Sequence, residues 1–422
     1  MNLLFKQAYI ISEGSEHHHK NMDVLVEGGI ITAIKKNISV KAQTKVIEHD
    51  DLCLSLGWVD MQAVSGDPGY EHREDLDTLV KAAAAGGFTA VCLHNNNQPA
   101  LHNKSQIEYV INQTINKVVD VYPFGTITTK GEGNDLAEMY DMKQSGAIAF
   151  SNYKNTLNDA GTCLRAIQYV NNIDSLMIAH CKDQSIAHGG QMNEGQQAVM
   201  LGLKGIPAIA EEIMLQRNIT LLEYTGAKMH IPTISTKGSI DLIKRAKSAG
   251  LQITCGVAAV NLMLDDTVLA DFDTNYKVNP PLRSKKDVQA LRNAVDNGTI
   301  DVIVSDHLPQ DTECKDLEFD LANDGIINLQ TAYHCALEGL GEKSIDAIVQ
   351  AFTVQPRNIL QLKPAQITEG AEANLTAFTR SGEFVLTEKN NNSKSNNSPF
   401  FHKPLKGSVI GVVNGNKSYF NS

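Results

Sequence analysis

Residues 87–127, GFTAVCLHNNNQPALHNKSQIEYVINQTINKVVDVYPFGTI, contain a short apolar run, a longer amphipathic segment and a second apolar run. The runs TAVCLHN (89–95) and VDVYPFGTI (119–127) have the length of buried strands. Between them, NKSQIEYVINQTINK (103–117) has the length and pattern of a helix. This order predicts a βα unit of a parallel sheet.

The same alternation continues on both sides of this unit, from about Leu54 to Leu360. Six further strands are predicted at SLGWVDM (55–61), AIAFSN (147–152), LMIAHC (176–181), KMHIPTI (228–234), QITCGVAA (252–259) and IDVIVSD (300–306). Eight parallel strands with crossover helices over about 300 residues predict an α/β fold, a closed (β/α)8 TIM-like barrel. An open doubly wound sheet is the alternative, but it rarely has eight units, and the GxGxxG expected after its first strand is absent.

Both ends of the chain have the period-two alternation of β-strands. Near the N-terminus, Gly28-Gly29 lies between two alternating segments, as in a hairpin turn. Near the C-terminus, the polar low-complexity tract KNNNSKSNNSPF (389–400) separates predicted strands as a loop. We therefore predict two domains: a small β-sandwich formed by residues 1–53 together with 362–422, and the barrel over residues 54–361.

The composition narrows the classes of function. With 37 basic and 48 acidic residues the net charge is -11, which argues against binding nucleic acid or an anionic membrane surface. The seven cysteines are scattered without a CxxC pair, which favours buried thiols in a reducing compartment. No basic leader with an apolar stretch occurs at the N-terminus, so we expect a cytoplasmic protein of enzyme size.

Function in such a barrel resides at the C-terminal ends of the strands, and there the sequence becomes specific. The motifs at these ends are GWVDMQAVSGDPGYEHRED (57–75), FSN (150–152), AHCKD (179–183), KVNPPLR (277–283) and VSDHLPQ (304–310), followed near the C-terminus by SKSNNSPF (393–400). Together they closely resemble the motifs of type I dihydroorotases, in the same order over essentially the whole chain. The resemblance implies the cyclic amidohydrolase fold and ring opening between dihydroorotate and carbamoyl aspartate.

The resemblance also implies zinc at the barrel mouth, where the metal would activate water and an aspartate would carry the proton. Two of the family's metal positions keep a ligand, His180 and Asp306, the latter being the proton-shuttle position. The other ligand positions are occupied by Gln62, Val64, Asn152 and Thr233. Because a catalytic zinc needs about three protein ligands, we expect zinc to bind weakly or not at all.

The substrate contacts implied by the resemblance are also reduced. The arginine that would hold the substrate carboxylate corresponds to Gly66, and a second histidine corresponds to Gln310. Asn95 and Asn279 match family positions that contact the substrate, although Asn96 competes with Asn95 because LHNNNQP has one residue more than the usual motif.

Other histidines of the chain are candidates for binding the metal in place of the family's ligands. His94, His230 and His307 lie at the opposite parity to their neighbouring motif residues and should point away from the barrel interior. The triplet 17–19, HHH, resembles a weak metal-binding tract in a polar, solvated turn.

These departures favour a catalytically silent dihydroorotase homologue with a structural or regulatory role. The resemblance suggests aspartate transcarbamoylase, or another enzyme of pyrimidine synthesis, as partner, and we also expect a homo-oligomer. Two alternatives remain open: an active cyclic amide hydrolase with a reduced metal site, and a sensor that binds a pyrimidine precursor without cleaving it.

Overall fold

The computed structural model describes residues 1–39 and 43–421. Its strands are β1 (Asn2–Ile11), β2 (Asn21–Glu27), β3 (Ile30–Lys35), β4 (Lys45–Ile47), β5 (Leu52–Leu56), β6 (Trp58–Ala63), β7 (Phe88–Leu93), β8 (Asp120–Gly125), β9 (Ala149–Phe150), β10 (Met177–Ile178), β11 (Met192–Asn193), β12 (Gly205–Ile206), β13 (Lys228–Ile231), β14 (Gln252–Ala258), β15 (Val302–Val304), β16 (Asn374–Val385), β17 (Pro404–Asn414) and β18 (Lys417–Phe420).

The α-helices are α1 (Leu76–Ala85), α2 (Lys104–Thr114), α3 (Met139–Gln144), α4 (Ala160–Asn172), α5 (Gln196–Leu201), α6 (Ile209–Thr225), α7 (Lys237–Ser248), α8 (Ala259–Met263), α9 (Lys285–Asp296), α10 (Thr312–Lys315), α11 (Ala332–Leu340), α12 (Ile345–Phe352) and α13 (Val354–Ile359). Short 3₁₀ helices lie at Thr129–Gly131, Asp266–Asp271, Thr274–Tyr276 and Glu342–Ser344. In the described part of the chain, no helix has the length and apolar character needed to cross a membrane.

Eight strands form the barrel sheet in the order β15-β14-β13-β10-β9-β8-β7-β6, and neighbouring strands pair in parallel. Each of them lies within or overlaps one of the eight predicted strands. The sheet closes between β6 and β15, where Ala63 pairs with His307 and the Val64 amide donates to the His307 carbonyl at 3.1 Å. The predicted (β/α)8 barrel is confirmed.

A buried carboxyl strengthens this closure. Asp60 of β6 accepts hydrogen bonds from the amide and hydroxyl of Ser305 at 2.8 and 2.5 Å. Burial raises the pKa of Asp60 to about 7, although both hydrogen bonds oppose the shift. The side chain therefore joins the first and last strands of the barrel.

The helices begin where the sequence supplies capping residues. Asp75 and Thr78 form a capping box at the start of α1, and Asn103 and Gln106 form another at α2. The apolar faces of these helices pack on the barrel strands in one large core. Trp58 at the start of β6 is fully buried in that core.

The strands from the two chain ends share one sheet, in the order β18-β17-β16-β5-β1-β2-β3, with β4 paired to β1. The predicted hairpin turn at Gly28-Gly29 joins β2 and β3, and both glycines have positive φ. A Cβ on Gly29 would lie 2.7 Å from the Gly415 carbonyl carbon, so this close approach of the two chain ends also requires glycine. Strand β5 extends to Leu56, past residue 53, and the domain boundaries stay a prediction.

Candidate functional site

The centre of the barrel mouth is a buried ion pair. Asp306 follows β15 with a φ of 51°, and its carboxylate is 3% exposed. The Lys154 ammonium donates to Oδ2 of Asp306 at 2.8 Å, and the Gln62 amide donates to Oδ1 at 2.6 Å. Both carboxylate oxygens therefore have a donor, one of them a full positive charge.

Lys154 reaches this position from the loop after β9, and the neighbouring Asn152 holds that loop in place. Oδ1 of Asn152 accepts from the amides of Ile127 and Thr128 at 3.0 and 3.1 Å. Its Nδ2 donates to the Thr128 hydroxyl at 2.8 Å. Asn152 therefore holds the β8 and β9 loops together, and its own polar atoms are used in doing so.

Tyr153, between these two residues, lies close to the ion pair, with its ring centroid 5.3 Å from the Lys154 ammonium. It has a φ of 55° and is buried in an apolar cluster with Val64 and Leu308. Its ring centroid lies 5.3 Å from that of His94. Burial, together with the Asp306 charge, raises the pKa of the Tyr153 hydroxyl well above its ordinary value, so the phenol stays protonated.

His180 follows β10 and is 4% exposed. Neither ring nitrogen has a hydrogen-bond partner within residues 1–39 and 43–421. Burial, together with the charges of Lys154 and Lys182, lowers the pKa of His180 to about 3. The imidazole is therefore neutral near pH 7. Thr233, which follows β13, is also buried, and no partner for its hydroxyl is found in the described chain.

The predicted substrate positions lie around the same mouth. Asn95 is buried, whereas Asn96 is partly exposed and its amide bonds to the Asn97 side chain. Asn279 lies between the 3₁₀ helix Thr274–Tyr276 and α9 and is partly buried. The structure thus gives Asn95, rather than Asn96, the buried position of the two.

Gly66 and Gln310 occupy the positions where the resemblance implies an arginine and a second histidine. A Cβ on Gly66 would lie 1.9 Å from the Tyr70 carbonyl oxygen, so the backbone here leaves no room for a side chain. The backbone N–H of Gln310 donates to Oδ1 of Asn397 at 3.0 Å, and its Nε2 donates to the Asp324 carbonyl at 2.8 Å.

The three histidines of opposite parity are fully buried, each with a contact of its own. Nε2 of His94 lies 3.2 Å from the Met61 carbonyl, and Nδ1 of His230 lies 2.8 Å from the Thr254 hydroxyl. Nδ1 of His307 accepts from the backbone amide of Asn328 at 3.1 Å. His94 follows the end of β7, and its ring packs against Tyr153.

In the described part of the chain, every buried side-chain nitrogen or oxygen without a partner, except Oδ1 of Asn279, belongs to a residue in, or at most six residues after, a barrel strand. These atoms are Oε1 of Gln62 and Gln310, Nδ1 of His94, Oδ1 of Asn95 and Asn279, Oγ1 of Thr126, Thr156 and Thr233, the Tyr153 hydroxyl, both nitrogens of His180, and Nε2 of His230 and His307. Buried polar atoms are normally paired, and unpaired ones indicate water or a ligand. The mouth therefore concentrates the unused hydrogen-bonding capacity of the chain.

Side chains of the C-terminal polar tract (389–400) make hydrogen bonds to the loops around the barrel mouth. The hydroxyl of Ser393 donates to the buried Glu74, and the amide of Asn397 donates to the Leu308 carbonyl at 3.0 Å. The tract predicted as a polar loop is thus a packed connection between the terminal sheet and the barrel loops.

A buried arginine network supports the other side. Arg283 lies 3.9 Å from Glu211, and it donates to the Ser235 hydroxyl at 3.0 Å and the Ile206 carbonyl at 2.8 Å. The Ser235 amide donates to Glu211 at 2.9 Å. These residues come from distant motifs and position the loops around the mouth.

Comparison with known proteins identifies the family. A family model described as dihydro-orotase-like matches residues 53–239. A dihydroorotase from Acetivibrio thermocellus is 39% identical over 400 residues, covering 94% of each chain. One from Geotalea daltonii is 37% identical over 416 residues, covering 98% of each chain. This chain belongs to the dihydroorotase family.

Solved structures agree on the fold of this dihydroorotase-family chain. An L-hydantoinase from Arthrobacter aurescens aligns with a TM-score of 0.84 at 20% identity, covering 99% of this chain and 95% of its own. A dihydropyrimidinase from Brevibacillus agri aligns with a TM-score of 0.80 at 20% identity, covering 100% of this chain and 95% of its own. At this level of identity the likeness concerns the barrel architecture alone.

The zinc that the family implies can be tested against these residues. Asp306 is occupied by the Lys154 ammonium, and Gln62 presents an N–H donor, not a lone pair, toward it. Within the described residues, neither His180 nor Asp306 belongs to a group of three His, Cys, Asp or Glu ligands close enough to share one ion. The donor set of this mouth does not fit a zinc centre.

Sequence reasoning missed the two residues that define the mouth, Tyr153 and Lys154. Both stand directly after Asn152 in FSNYK, where a large phenol and an ammonium follow the position of a family carboxylate. The available signal was the positive charge of Lys154 two residues after the predicted ligand position Asn152.

Proposed function

We propose that this dihydroorotase-family protein is a catalytically silent homologue in which the Lys154–Asp306 ion pair takes the place of zinc. The ammonium at 2.8 Å is the observation that carries the proposal. A divalent cation at Asp306 would have to displace a buried like charge, and the displaced ammonium would then lack its partner. Asp306 would also make a poor proton shuttle, since both of its oxygens accept hydrogen bonds from fixed donors.

Burial supports the same conclusion. Asp306 is 3% exposed, His180 4% and Gln62 1%, so none of them is open to a substrate in this conformation. Tyr153 packs with Val64 and Leu308 in one buried apolar cluster, and these two residues lie two positions from Gln62 and Asp306 in the sequence. A hydrolase would need water and substrate at these atoms, and the closed mouth favours a structural or regulatory role.

The direct test is dihydroorotate hydrolysis, and carbamoyl aspartate cyclisation, with and without added zinc. The Acetivibrio thermocellus relative serves as a positive control under the same conditions. We expect no turnover above the uncatalysed rate. Turnover that disappears in Asp306→Asn would overturn the proposal, because it would show this carboxyl at work.

An active cyclic amide hydrolase with an unusual metal site is the second candidate. Its support is the identity of 39% and 37% to chains named dihydroorotase over nearly their full length. Zinc bound in proportion to the chain, and lost on His180→Gln or Asp306→Asn, would favour this candidate.

A sensor of a pyrimidine precursor is the third. It is favoured by the unpartnered polar atoms around the mouth, including those of Asn95 and Asn279. Calorimetry with carbamoyl aspartate and dihydroorotate tests it. Heat that is lost in Asn279→Ala would support a binding role, and its absence at millimolar ligand would remove the sensor.

A non-catalytic role needs a partner, and we propose aspartate transcarbamoylase or another enzyme of pyrimidine synthesis, with the chain itself assembling as a homo-oligomer. Such a partner would place the protein in the cytoplasm, where its seven unpaired cysteines, six of them buried, would remain reduced. Co-purification at low salt should recover the partner in fixed stoichiometry. A homo-oligomer alone would count against the partner.

A further inference from the structure

Two imidazoles and a carboxylate meet on the outside of the protein, in a region that the proposed function does not use. His18 and His19 belong to the turn between β1 and β2, and Asp346 lies in the first turn of α12. One ligand atom from each lies within 4.8 Å of the other two. Within residues 1–39 and 43–421, this is the one group of three such side chains close enough to share an ion.

The turn holds its histidines in a defined geometry. The His18 amide donates to the Ser15 carbonyl at 3.0 Å, and the His19 amide donates to the Ile10 carbonyl at 2.8 Å. The ring of His19 is stacked between those of His18 and Tyr9, at centroid distances of 3.7 and 5.7 Å. The fold thus holds both imidazoles in one place, and the stacked rings have to turn for their nitrogens to converge on one ion.

The carboxylate comes from a distant part of the chain. Nε2 of His19 lies 2.9 and 3.1 Å from the two oxygens of Asp346. Ligands bound side by side on one zinc, at about 2.0–2.1 Å from it, lie roughly 3 Å apart, so little movement is needed to place an ion between them. The side chains of His19 and Asp346 are 45% and 43% exposed, which leaves room for water at the remaining positions.

Two hydrogen bonds have to give way, that of His19 Nε2 to Asp346 and one at His18. The Ser12 amide donates to Nδ1 of His18 at 3.2 Å, so in the neutral ring the proton is on Nε2. Coordination through Nε2 moves this proton to Nδ1, and coordination through Nδ1 replaces the amide. In either case the His18 hydrogen bond and the His19–Asp346 hydrogen bond are exchanged for bonds to the metal.

We propose that His18, His19 and Asp346 form a binding site for one divalent transition-metal ion, for which imidazole and carboxylate are suitable ligands. The ion connects the turn of the terminal sheet to helix α12 of the barrel. Beside it, the Gln350 amide of α12 donates to Glu13 at 2.6 Å, so the metal reinforces an existing contact between the same two segments.

Calorimetric titration of untagged, chelator-stripped protein with zinc chloride tests the site. We expect one ion per chain, bound at least about tenfold more weakly in His19→Gln and in Asp346→Asn. His402→Gln is the matched control, because His402 lies 3.0 Å from Glu388 in an exposed pair outside any such three-ligand group of the described chain. This variant should bind zinc as the wild type does.

Thermal unfolding supplies a second readout. Zinc should raise the melting temperature of the wild type and of His402→Gln but not that of His19→Gln, while the three proteins melt alike in chelator. Absence of binding, or binding unaffected by His19→Gln and Asp346→Asn, would overturn the site. Zinc lost instead on Asp306→Asn would place it in the barrel, which counts against this site and against the silent barrel together.

Discussion

The Lys154 ammonium lies 2.8 Å from the Asp306 carboxylate at the mouth of the barrel. Lys154 is 12% exposed and Asp306 3%, so the pair is nearly dry. An ammonium supplies one positive charge where a zinc centre would supply at least two, and it needs no further ligands. This difference explains how a dihydroorotase-type barrel can keep a buried aspartate with few other metal donors around it.

Lys154→Met should destabilise the protein by about 3–5 kcal/mol, because it leaves the buried Asp306 carboxylate without its counter-ion. Urea unfolding measures the loss. The control is Lys363→Met, which removes a lysine from a pair with Glu372 whose side chains are 84% and 60% exposed. That exposed pair should contribute only a small fraction of this amount. Equal losses in the two variants would mean that the buried pair is not an important contact.

Two substitutions of Tyr153 distinguish the contribution of its ring to packing from that of its hydroxyl group. Tyr153→Phe should be close to neutral, because no partner for the hydroxyl is found among the described residues. Tyr153→Ala should cost about 3–5 kcal/mol, as expected for removal of a buried aromatic ring. Chemical denaturation of both variants checks this. A large loss in Tyr153→Phe would reveal a hydrogen bond to water or ligand.

His180 makes stability depend on pH. Its pKa is about 3 in the folded protein, against about 6.5 in the unfolded chain, so its contribution is present above pH 6.5 and is lost as the pH falls from there toward 3. The free energy of unfolding of the wild type should therefore fall between pH 7.5 and pH 5 by about 2 kcal/mol more than that of His180→Leu. Urea unfolding of both proteins at these two pH values measures the difference. If the stability difference between the two proteins does not change with pH, the His180 ring takes up a proton in the folded protein as readily as in the unfolded chain.

Arg283→Met should destabilise the protein by about 3–5 kcal/mol, since Glu211 would remain buried without its cation. Adding Glu211→Gln should recover part of the loss, because the uncompensated charge is then removed. A double-mutant cycle from unfolding curves gives the coupling between the two residues. Strict additivity would argue that the two side chains act independently.

Much of the fold follows from local patterns. Strand β7 (Phe88–Leu93) and helix α2 (Lys104–Thr114) lie close to where alternation and apolar spacing predict them. Even the two-residue strand β9 (Ala149–Phe150) falls within its predicted range. These elements are predictable because strand and helix periodicities are properties of neighbouring residues.

The site was less predictable beyond the strand ends. Alternation holds along a strand, but His94, Tyr153 and Lys154 lie in loops, where backbone conformation is set by tertiary contacts. Tyr153 has positive φ, which turns its side chain in a direction that no periodic pattern describes. The contact of His19 with Asp346 is equally hidden, because it joins residues 327 positions apart.

The sequence by itself determined the order of strands and helices, the membership in the dihydroorotase family, and the identity of the residues at the predicted ligand positions. Only the tertiary structure decided that Lys154 pairs with Asp306, 152 positions away, and that Tyr153 packs against Val64 and Leu308. The physical reason is that secondary structure arises from local hydrogen bonding and apolar periodicity. The partner of a buried charge, by contrast, is chosen by which distant loops pack around it.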